Sequence, residues 1–272
     1  IAIGSTAAAV GAYYITLAAS FPPGTLGQFL LVLGGLVALS IVGTYAVHLR
    51  LSAALIAWLR RPGDGVALPA WRQAINYPAH LSLTVGISAL AVSLLVAGIT
   101  AITTGDGDLG LHIAVGGTLA AILDAIFAWL YTDWATRSLR RAMAVRDPML
   151  PVSGAGIISL GLAAKMAIVI VGVSVVGSVV AGTLAYREAA HAIATGNPGS
   201  LALHLILVTA TGLAVSLSGC LLVTRHTTEP LRELTTLVTE LNPERYTQRG
   251  VPMSSDEVGK LMAAVNAMLG GL

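Results

Sequence analysis

Two ionisable side chains stand in or beside apolar runs of the sequence, where a charge is costly. Asp124 lies inside the run Leu111 to Tyr131, and Lys165 lies just before the run Met166 to Tyr186. Because charges are expensive in hydrocarbon, we expect these two groups to form a buried ion pair. The alternative is that Lys165 reaches the headgroups while Asp124 bonds to a Ser, Thr or Trp of a neighbouring helix. If the two residues lined an aqueous path, they would instead indicate a transporter.

The sequence offers no pattern for a metal site or a catalytic nucleophile. The histidines are spread over different parts of the chain without an HxxxH spacing, so we expect interface histidines rather than ligands. The single cysteine, Cys220, lies in an apolar run and has no partner for an intrachain disulfide. There is no phosphate-cradling loop and no helix pair with a phospho-acceptor histidine. We therefore predict no catalytic residue, cofactor or metal within these 272 residues.

The polar tail after Thr224 carries two apolar seams with helical spacing. A 3-4-3 spacing puts residues on one face of a helix. After Pro230 this spacing is followed by Leu231, Leu234, Val238 and Leu241. It returns at Val258, Leu261, Val265, Met268 and Leu272. Helices of about a dozen residues are marginal alone in water, so we expect two from each of two chains to form a parallel four-helix bundle.

The segment SSDE marks the start of the second tail helix. Ser254 and Glu257, three residues apart, form a capping box, and Asp256 adds negative charge at the positive end of the helix dipole. The connector NPERYTQRGVPM between the two helices is long enough to run back along the first helix, which lets both helices point in the same direction.

The composition predicts which secondary-structure elements position these residues. Hydrophobic residues make up 56% of the chain and charged residues 10%, which is far from the average of soluble proteins. The apolar runs are about twenty residues long and do not alternate, so they predict membrane-spanning helices rather than a barrel. The predicted fold class is therefore all-α. A net charge of +2 without a dense basic run argues against nucleic acid as a partner.

The apolar runs predict a six-helix membrane bundle and its orientation. The candidate spans are Ile1 to Ala19, Leu26 to Leu49, Ala79 to Ile102, Leu111 to Tyr131, Met166 to Tyr186 and Leu201 to Thr224. Arginines concentrate between spans two and three and between spans four and five, which predicts that these loops, the N-terminus and the tail are cytoplasmic. No external loop is long enough to fold as a ligand-binding domain. We therefore expect a protein of the cell membrane that binds any signal molecule within or beside the bilayer.

The cytoplasmic border has two further features. Spans two and four run on into basic helical extensions, which we expect to end at Pro62 and Pro148. The tryptophans fall near the same border and resemble half of an aromatic belt; they are Trp58, Trp71, Trp129 and Trp134. No predicted span has an interior proline, which disfavours a transporter built from broken helices.

The tail as a whole resembles a HAMP domain. The resemblance is carried by Pro230 soon after a membrane span, and within DEVGKLMAAVNAML by Asp256, Glu257, Gly259, Leu261, Asn266 and Met268. Val265 stands where the family usually has phenylalanine, and the glycine that commonly opens the connector is replaced near Glu244 and Arg245. The resemblance divides the chain into a membrane domain of residues 1–224 and a HAMP domain of residues 225–272. It implies a dimeric cytoplasmic relay that passes a change in helix packing to an output domain.

Six spans with almost no external domain, followed by HAMP, resemble the membrane anchors of actinobacterial class III adenylate cyclases. The segments that carry this resemblance are GTYAVHLR with the downstream WLRRP, LPAWRQ before span three, and LRRAM after span four. It implies that an adenylate cyclase domain, which converts ATP to cyclic AMP with Mg²⁺ or Mn²⁺, lies outside this chain. The chain itself would be non-catalytic.

The expected partners follow from the tail seams, from the HAMP resemblance and from the short external loops. They are a second copy of the chain, bound through HAMP and the membrane helices, and a lipid or fatty acid as the sensed molecule. The alternatives are the membrane region of a HAMP histidine kinase or chemotaxis receptor, and a small transporter with a regulatory module.

Overall fold

The chain is helical wherever regular secondary structure is described. The structure is a computed structural model. It describes residues 24–61, 67–147, 150–158, 160–195 and 255–271, together with isolated positions such as Ala12, Ile15 and Arg232. These residues form α1 (Thr25–Leu51), α2 (Ala53–Arg60), α3 (Leu68–Thr104), α4 (Gly107–Ala135), α5 (Arg137–Arg146), α6 (Leu162–Thr195) and α7 (Glu257–Gly271). The predicted all-α class is confirmed for this part of the chain.

Four of the described helices are long and apolar enough to cross a membrane. They are α1, α3, α4 and the Leu162–Thr183 part of α6. The full helices α1, α3, α4 and α6 contain the predicted spans two to five, so these apolar runs are confirmed as helices. The first and sixth predicted spans fall, apart from isolated helical positions, outside the described residues. The boundary predicted between residues 224 and 225 stays a prediction for the same reason.

Helix α3 begins well before the apolar run that it contains. It starts at Leu68, whereas the predicted span starts at Ala79, and it runs through Pro78 without a break. A proline inside a helix removes one backbone hydrogen bond and crowds the preceding turn, so it kinks the helix. The predicted span begins one residue after Pro78, whereas the helix begins ten residues before Pro78, so this proline is an interior residue of a continuous helix.

Hydroxyl residues separate the apolar helices from their basic extensions. Ser52 lies between α1 and α2, and Thr136 lies between α4 and α5. The Thr136 hydroxyl donates to the carbonyl of Thr132 at 2.7 Å, a contact that bends helices. Helical hydrogen bonds continue across both positions, with Ile56 N–H donating to Ser52 O and Arg140 N–H donating to Thr136 O. The extensions end at Arg60 and Arg146, close to the predicted prolines.

The chain forms two compact units. The first comprises Ile1–Ala46, Ser82–Ala128 and Val169–Cys220. Part of its core joins α1, α3 and α4 through Phe29, Val92, Val96, Ala97, Leu109 and Ile113. A Cβ added at Gly110 would lie 2.7 Å from the Ala101 Cβ, so glycine allows α3 and α4 to pack closely there. Asp124 belongs to this unit.

The second unit comprises Val47–Leu81, Trp129–Ile168 and Leu221–Leu272. Its core centres on Trp71 and Met143, which are fully buried. They are joined by Leu55, Ala70, Ala74, Ile75, Ala144 and Leu150. The expected place of Trp71 in an interfacial belt is therefore wrong, because its ring is enclosed by α2, α5 and the segment before α6. Trp134, by contrast, is exposed.

Candidate functional site

Asp256 caps helix α7. Asp256 immediately precedes the helix, and its Oδ1 accepts the Gly259 N–H at 3.3 Å. Its carbonyl oxygen accepts the Lys260 N–H at 3.0 Å. Asp256 is thus the N-cap residue, with its charge at the positive end of the helix dipole. The predicted cap residue Ser254 lies outside the described residues.

Asp256 also holds a cation from another helix. Its Oδ2 accepts a hydrogen bond from Lys165 Nζ at 2.7 Å, across 91 residues of sequence. The side chains are 22% exposed for Lys165 and 9% exposed for Asp256, so this ion pair is better shielded from solvent than a typical surface pair. The Lys165 ammonium also lies 5.8 Å from the centroid of the Trp129 ring, within cation–π range. The two oxygens of Asp256 therefore serve two different helices.

Glu257 provides a second contact to the same helix. Its Oε2 accepts the N–H of Leu162, the first residue of α6, at 2.6 Å. The first turn of a helix has N–H groups without partners inside the helix, and a carboxylate there also meets the positive end of the dipole. The Leu162 hydrogen bond is the main cause that holds the pKa of Glu257 below its ordinary value of 4.5. The sequence predicted a capping box of Ser254 and Glu257, of which Ser254 lies outside the described residues. The structure shows that Glu257 also accepts a hydrogen bond from α6.

A glycine makes this approach possible. Gly161 precedes α6, and its carbonyl accepts the Lys165 N–H at 3.0 Å. A Cβ added at Gly161 would lie 2.6 Å from Glu257 Oε1, closer than real Cβ atoms are found. A side chain at position 161 would therefore displace the carboxylate from the Leu162 N–H.

Ser255 bonds the same end of α7 to the segment before α6. Its hydroxyl donates to the carbonyl of Ile158 at 2.8 Å. This segment is held in turn by α3, because the Asn76 side chain accepts from the Ile158 N–H at 2.8 Å and donates to the Gly156 carbonyl at 2.7 Å. The Trp71 indole N–H donates to the Pro151 carbonyl at 2.7 Å. Ser255 is thereby linked to α3 through two successive sets of hydrogen bonds.

These contacts define one site, which we name the docking junction. It consists of Ser255, Asp256 and Glu257 from the start of α7, and of Ile158, Gly161, Leu162 and Lys165 from the base of α6. Its groups bind one another by hydrogen bonds and charge. Within the described part of the chain, no cluster of three His, Cys, Asp or Glu side chains is arranged to hold a metal ion. The junction is suited to holding a helix.

Helix α7 presents two different faces. Val258, Met262 and Asn266 recur every four residues and are buried within a single chain. The predicted seam residues Leu261 and Met268 are 49% and 55% exposed, respectively. Val265, which lies between them in sequence, is half-buried. One face is therefore already covered, and an apolar stripe beside it faces outward.

The first predicted tail seam falls outside the described residues. This holds for Pro230, Leu231, Leu234, Val238 and Leu241. Nearby Thr235 and Thr236 are helical.

The structure brings together some of the predicted site residues and leaves others apart. Asp256 and Glu257 meet Lys165 and its helix at the docking junction. The pair predicted between Asp124 and Lys165 stays a prediction, since these residues belong to different units; the carboxylate bonded to the Lys165 ammonium is that of Asp256.

Asn76 was missed by sequence reasoning. The signal that could have drawn attention to it is an amide between Ile75 and Tyr77, two residues before Pro78.

A second buried ion pair was also missed. Arg140 Nη2 lies 2.8 Å from Asp133 Oδ1 and 2.6 Å from the Asp133 carbonyl oxygen. It bridges the junction of α4 and α5 at Thr136. These two residues were visible in the sequence only as part of a basic extension, whose charges were read as topology signals.

Comparison of the chain with protein-family models, curated proteins and solved structures gave no match.

Proposed function

We propose that this chain is the membrane and relay part of a dimeric signal transducer, with six membrane helices and a cytoplasmic HAMP-like tail. The observation that carries the proposal is the arrangement of α7. Its capped end is bonded to the base of an apolar helix long enough to cross a membrane, while Leu261 and Met268 form an uncovered apolar stripe. A helix that is fixed at one end and exposes an apolar stripe is suited to pass a change in the packing of the membrane helices to a second copy of the chain.

The dimer is supported by the apolar content of the exposed stripe. Burying a side chain such as leucine or methionine stabilises an assembly by roughly 1.5–3 kcal/mol. A parallel pair of tails would bury Leu261, Val265 and Met268 from each chain. The HAMP resemblance of the same residues supports this pairing over an arbitrary contact.

The input and the output of the relay are parts of the same proposal. The input is an apolar molecule such as a lipid or fatty acid, because no loop predicted to be external is long enough to fold as a ligand-binding domain. The output is an adenylate cyclase domain beyond this chain, which would use ATP with Mg²⁺ or Mn²⁺. A histidine kinase or chemotaxis output would use the same relay and would differ in the domain that follows residue 272.

Cysteine cross-linking in membranes tests the dimer. In a Cys220→Ser background, Leu261→Cys and Met268→Cys should each form an intermolecular disulfide under mild oxidation. The matched control is Ala267→Cys, which is exposed on another side of α7. Cross-linking of Ala267→Cys as efficient as that of the two stripe positions would contradict the proposed seam.

The output is tested separately in the full-length protein reconstituted in lipid vesicles. We expect formation of cyclic AMP from ATP with Mn²⁺ or Mg²⁺, with a rate that changes when fatty acids are added to the vesicles. A rate of cyclic AMP formation that is the same in all lipid compositions would contradict the proposed apolar input. Autophosphorylation in place of cyclic AMP formation would favour the kinase alternative.

A further inference from the structure

We propose that the docking junction is a latch through which the base of α6 directly restrains the start of α7. The latch gives the proposed relay a second input, because α6 acts on α7 through non-covalent contacts as well as through the chain that joins them. This inference rests on the proposed relay function. It differs from the dimer itself, since all of its contacts lie within one chain.

The latch depends on the axial and rotational position of α6. Leu162 and Lys165 are three residues apart and therefore lie on one side of the first turn of α6. They meet the consecutive residues Glu257 and Asp256. A shift of α6 by one residue along its axis is about 1.5 Å, and a turn by one residue is about 100°, and either change separates these partners. Small movements of α6 are thereby converted into loss of two charge-assisted hydrogen bonds.

The latch also includes a contact that connects α7 to another helix, α3. Ser255 bonds to Ile158, whose backbone N–H is held by Asn76 of α3. Asp256 and Glu257 bond to α6 itself. The first residues of α7 are thus tied to two helices at once. A displacement of α6 relative to α3 cannot keep all three contacts, so the latch responds to the relative position of the two helices.

Release of the latch changes what α7 offers to a partner. Val258 is 8% exposed and Met262 is 4% exposed in the single chain. Val258 also belongs to the predicted seam with Leu261 and Val265. In the docked state the first turn of α7 is therefore occupied within its own chain, while the later part of the stripe stays available. Release would free Val258 to join the seam of the dimer.

The charge contact can be removed without removing the helix cap. Asparagine caps helices as well as aspartate does, so Asp256→Asn keeps the acceptor for Gly259 while removing the negative charge. Lys165→Gln removes the positive charge from the other side. The two substitutions therefore form a double-mutant cycle that isolates the ion pair. Arg60→Gln, which removes an exposed arginine from α2, is the matched control.

Amide hydrogen exchange of the full chain in phospholipid vesicles measures the latch. We expect Lys165→Gln and Asp256→Asn each to accelerate exchange in residues 257–271 by about tenfold, and the double variant to exceed neither by more than about twofold. Exchange in α4 serves as the internal reference and should not change. Lys165→Arg should keep most of the protection. Unchanged exchange of α7 in both single variants, or effects that multiply in the double variant, would overturn the latch.

A distance measurement links the latch to α6. Spin labels at Ala163 and Lys260, both exposed, report the separation of the two helix starts in a Cys220→Ser background. Lys165→Gln should lengthen or broaden this distance, and Arg60→Gln should leave it unchanged. The experiment is repeated with Leu261→Asp, which disrupts the proposed dimer seam. A latch that persists in this variant, together with failure of the cysteine cross-links, would refute the dimer and keep the latch.

Discussion

The side-chain amide of Asn76 binds the backbone at two points, the N–H of Ile158 and the carbonyl of Gly156. Its oxygen accepts the Ile158 N–H at 2.8 Å, and its nitrogen donates to the Gly156 carbonyl at 2.7 Å. The residue is buried, so neither group can exchange its protein partner for bulk water. This pair of contacts fixes the segment that accepts the Ser255 hydroxyl. The position of α7 therefore depends on an amide in α3.

Asn76→Asp should loosen this segment. The carboxylate keeps the acceptor for Ile158 but cannot donate to the Gly156 carbonyl, and it faces that carbonyl with negative charge. Leaving a buried polar group without its partner costs about 1–3 kcal/mol. We expect faster amide exchange in residues 150–158 and in the first turn of α7. Gln28→Glu makes the same chemical change at an exposed position of α1 and should have little effect; an equal effect of both variants would argue against the clamp.

Gly161→Ala should weaken docking without a change of charge. The added Cβ would lie 2.6 Å from Glu257 Oε1, so the flexible carboxylate must move away from the Leu162 N–H. We expect a several-fold rise in exchange at the start of α7, while the helices themselves remain intact. Gly107→Ala is the matched control, because Gly107 also lies at the start of a helix and a Cβ there meets nothing within 4 Å. The steric explanation fails if the two variants behave alike.

Acidification should release the Glu257 contact. The hydrogen bond from Leu162 is the main cause that lowers the pKa of Glu257 below 4.5. A backbone hydrogen bond at Glu257 itself and the charge of Lys260 lower it further, while desolvation and Asp256 oppose. A lowered pKa in the folded state means that the contact adds stability above this ordinary value and loses it as the pH falls through the folded pKa. We expect the distance between labels at Ala163 and Lys260 to increase in that acidic range.

The control for this pH dependence is Glu257→Gln. The neutral amide still accepts from Leu162 but does not titrate, so its part of the acid response should disappear. A pH profile of the label distance that is identical in the wild-type chain and in Glu257→Gln would assign the response to other groups.

Trp71→Ala should destabilise the second unit strongly. Trp71 is fully buried among α2, α5 and the segment before α6, and its indole N–H holds Pro151. Truncation of a large buried aromatic costs about 3–5 kcal/mol, and Trp71→Phe should cost about 1–3 kcal/mol through the lost hydrogen bond. Thermal unfolding in detergent, followed by circular dichroism, measures both variants. Trp134→Ala, at an exposed position, should shift the midpoint far less.

Local sequence features were sufficient for the helices. The apolar runs around α1, α3, α4 and α6 are long and uninterrupted, and hydrocarbon leaves a helix as the form that satisfies every backbone group within the run. The acidic start of α7 was also readable, because capping depends on residues within one turn. The start of α3 was not readable, because Pro78 suggests a boundary that tertiary packing overrides.

The hydrogen-bond partners of the polar side chains could be identified only in the folded chain. The amino-acid sequence determined where the apolar helices lie, that an acidic cap opens α7, and that an apolar stripe follows it. It proposed a pair of Lys165 and Asp124 from similar depth, and it did not indicate that the fold brings Asp256 to Lys165 across 91 residues. It likewise could not assign Glu257 to Leu162 or Asn76 to Ile158. The physical reason is range: helix formation and capping are fixed by neighbours in sequence, but a hydrogen bond between distant residues exists only once packing has brought their backbones together.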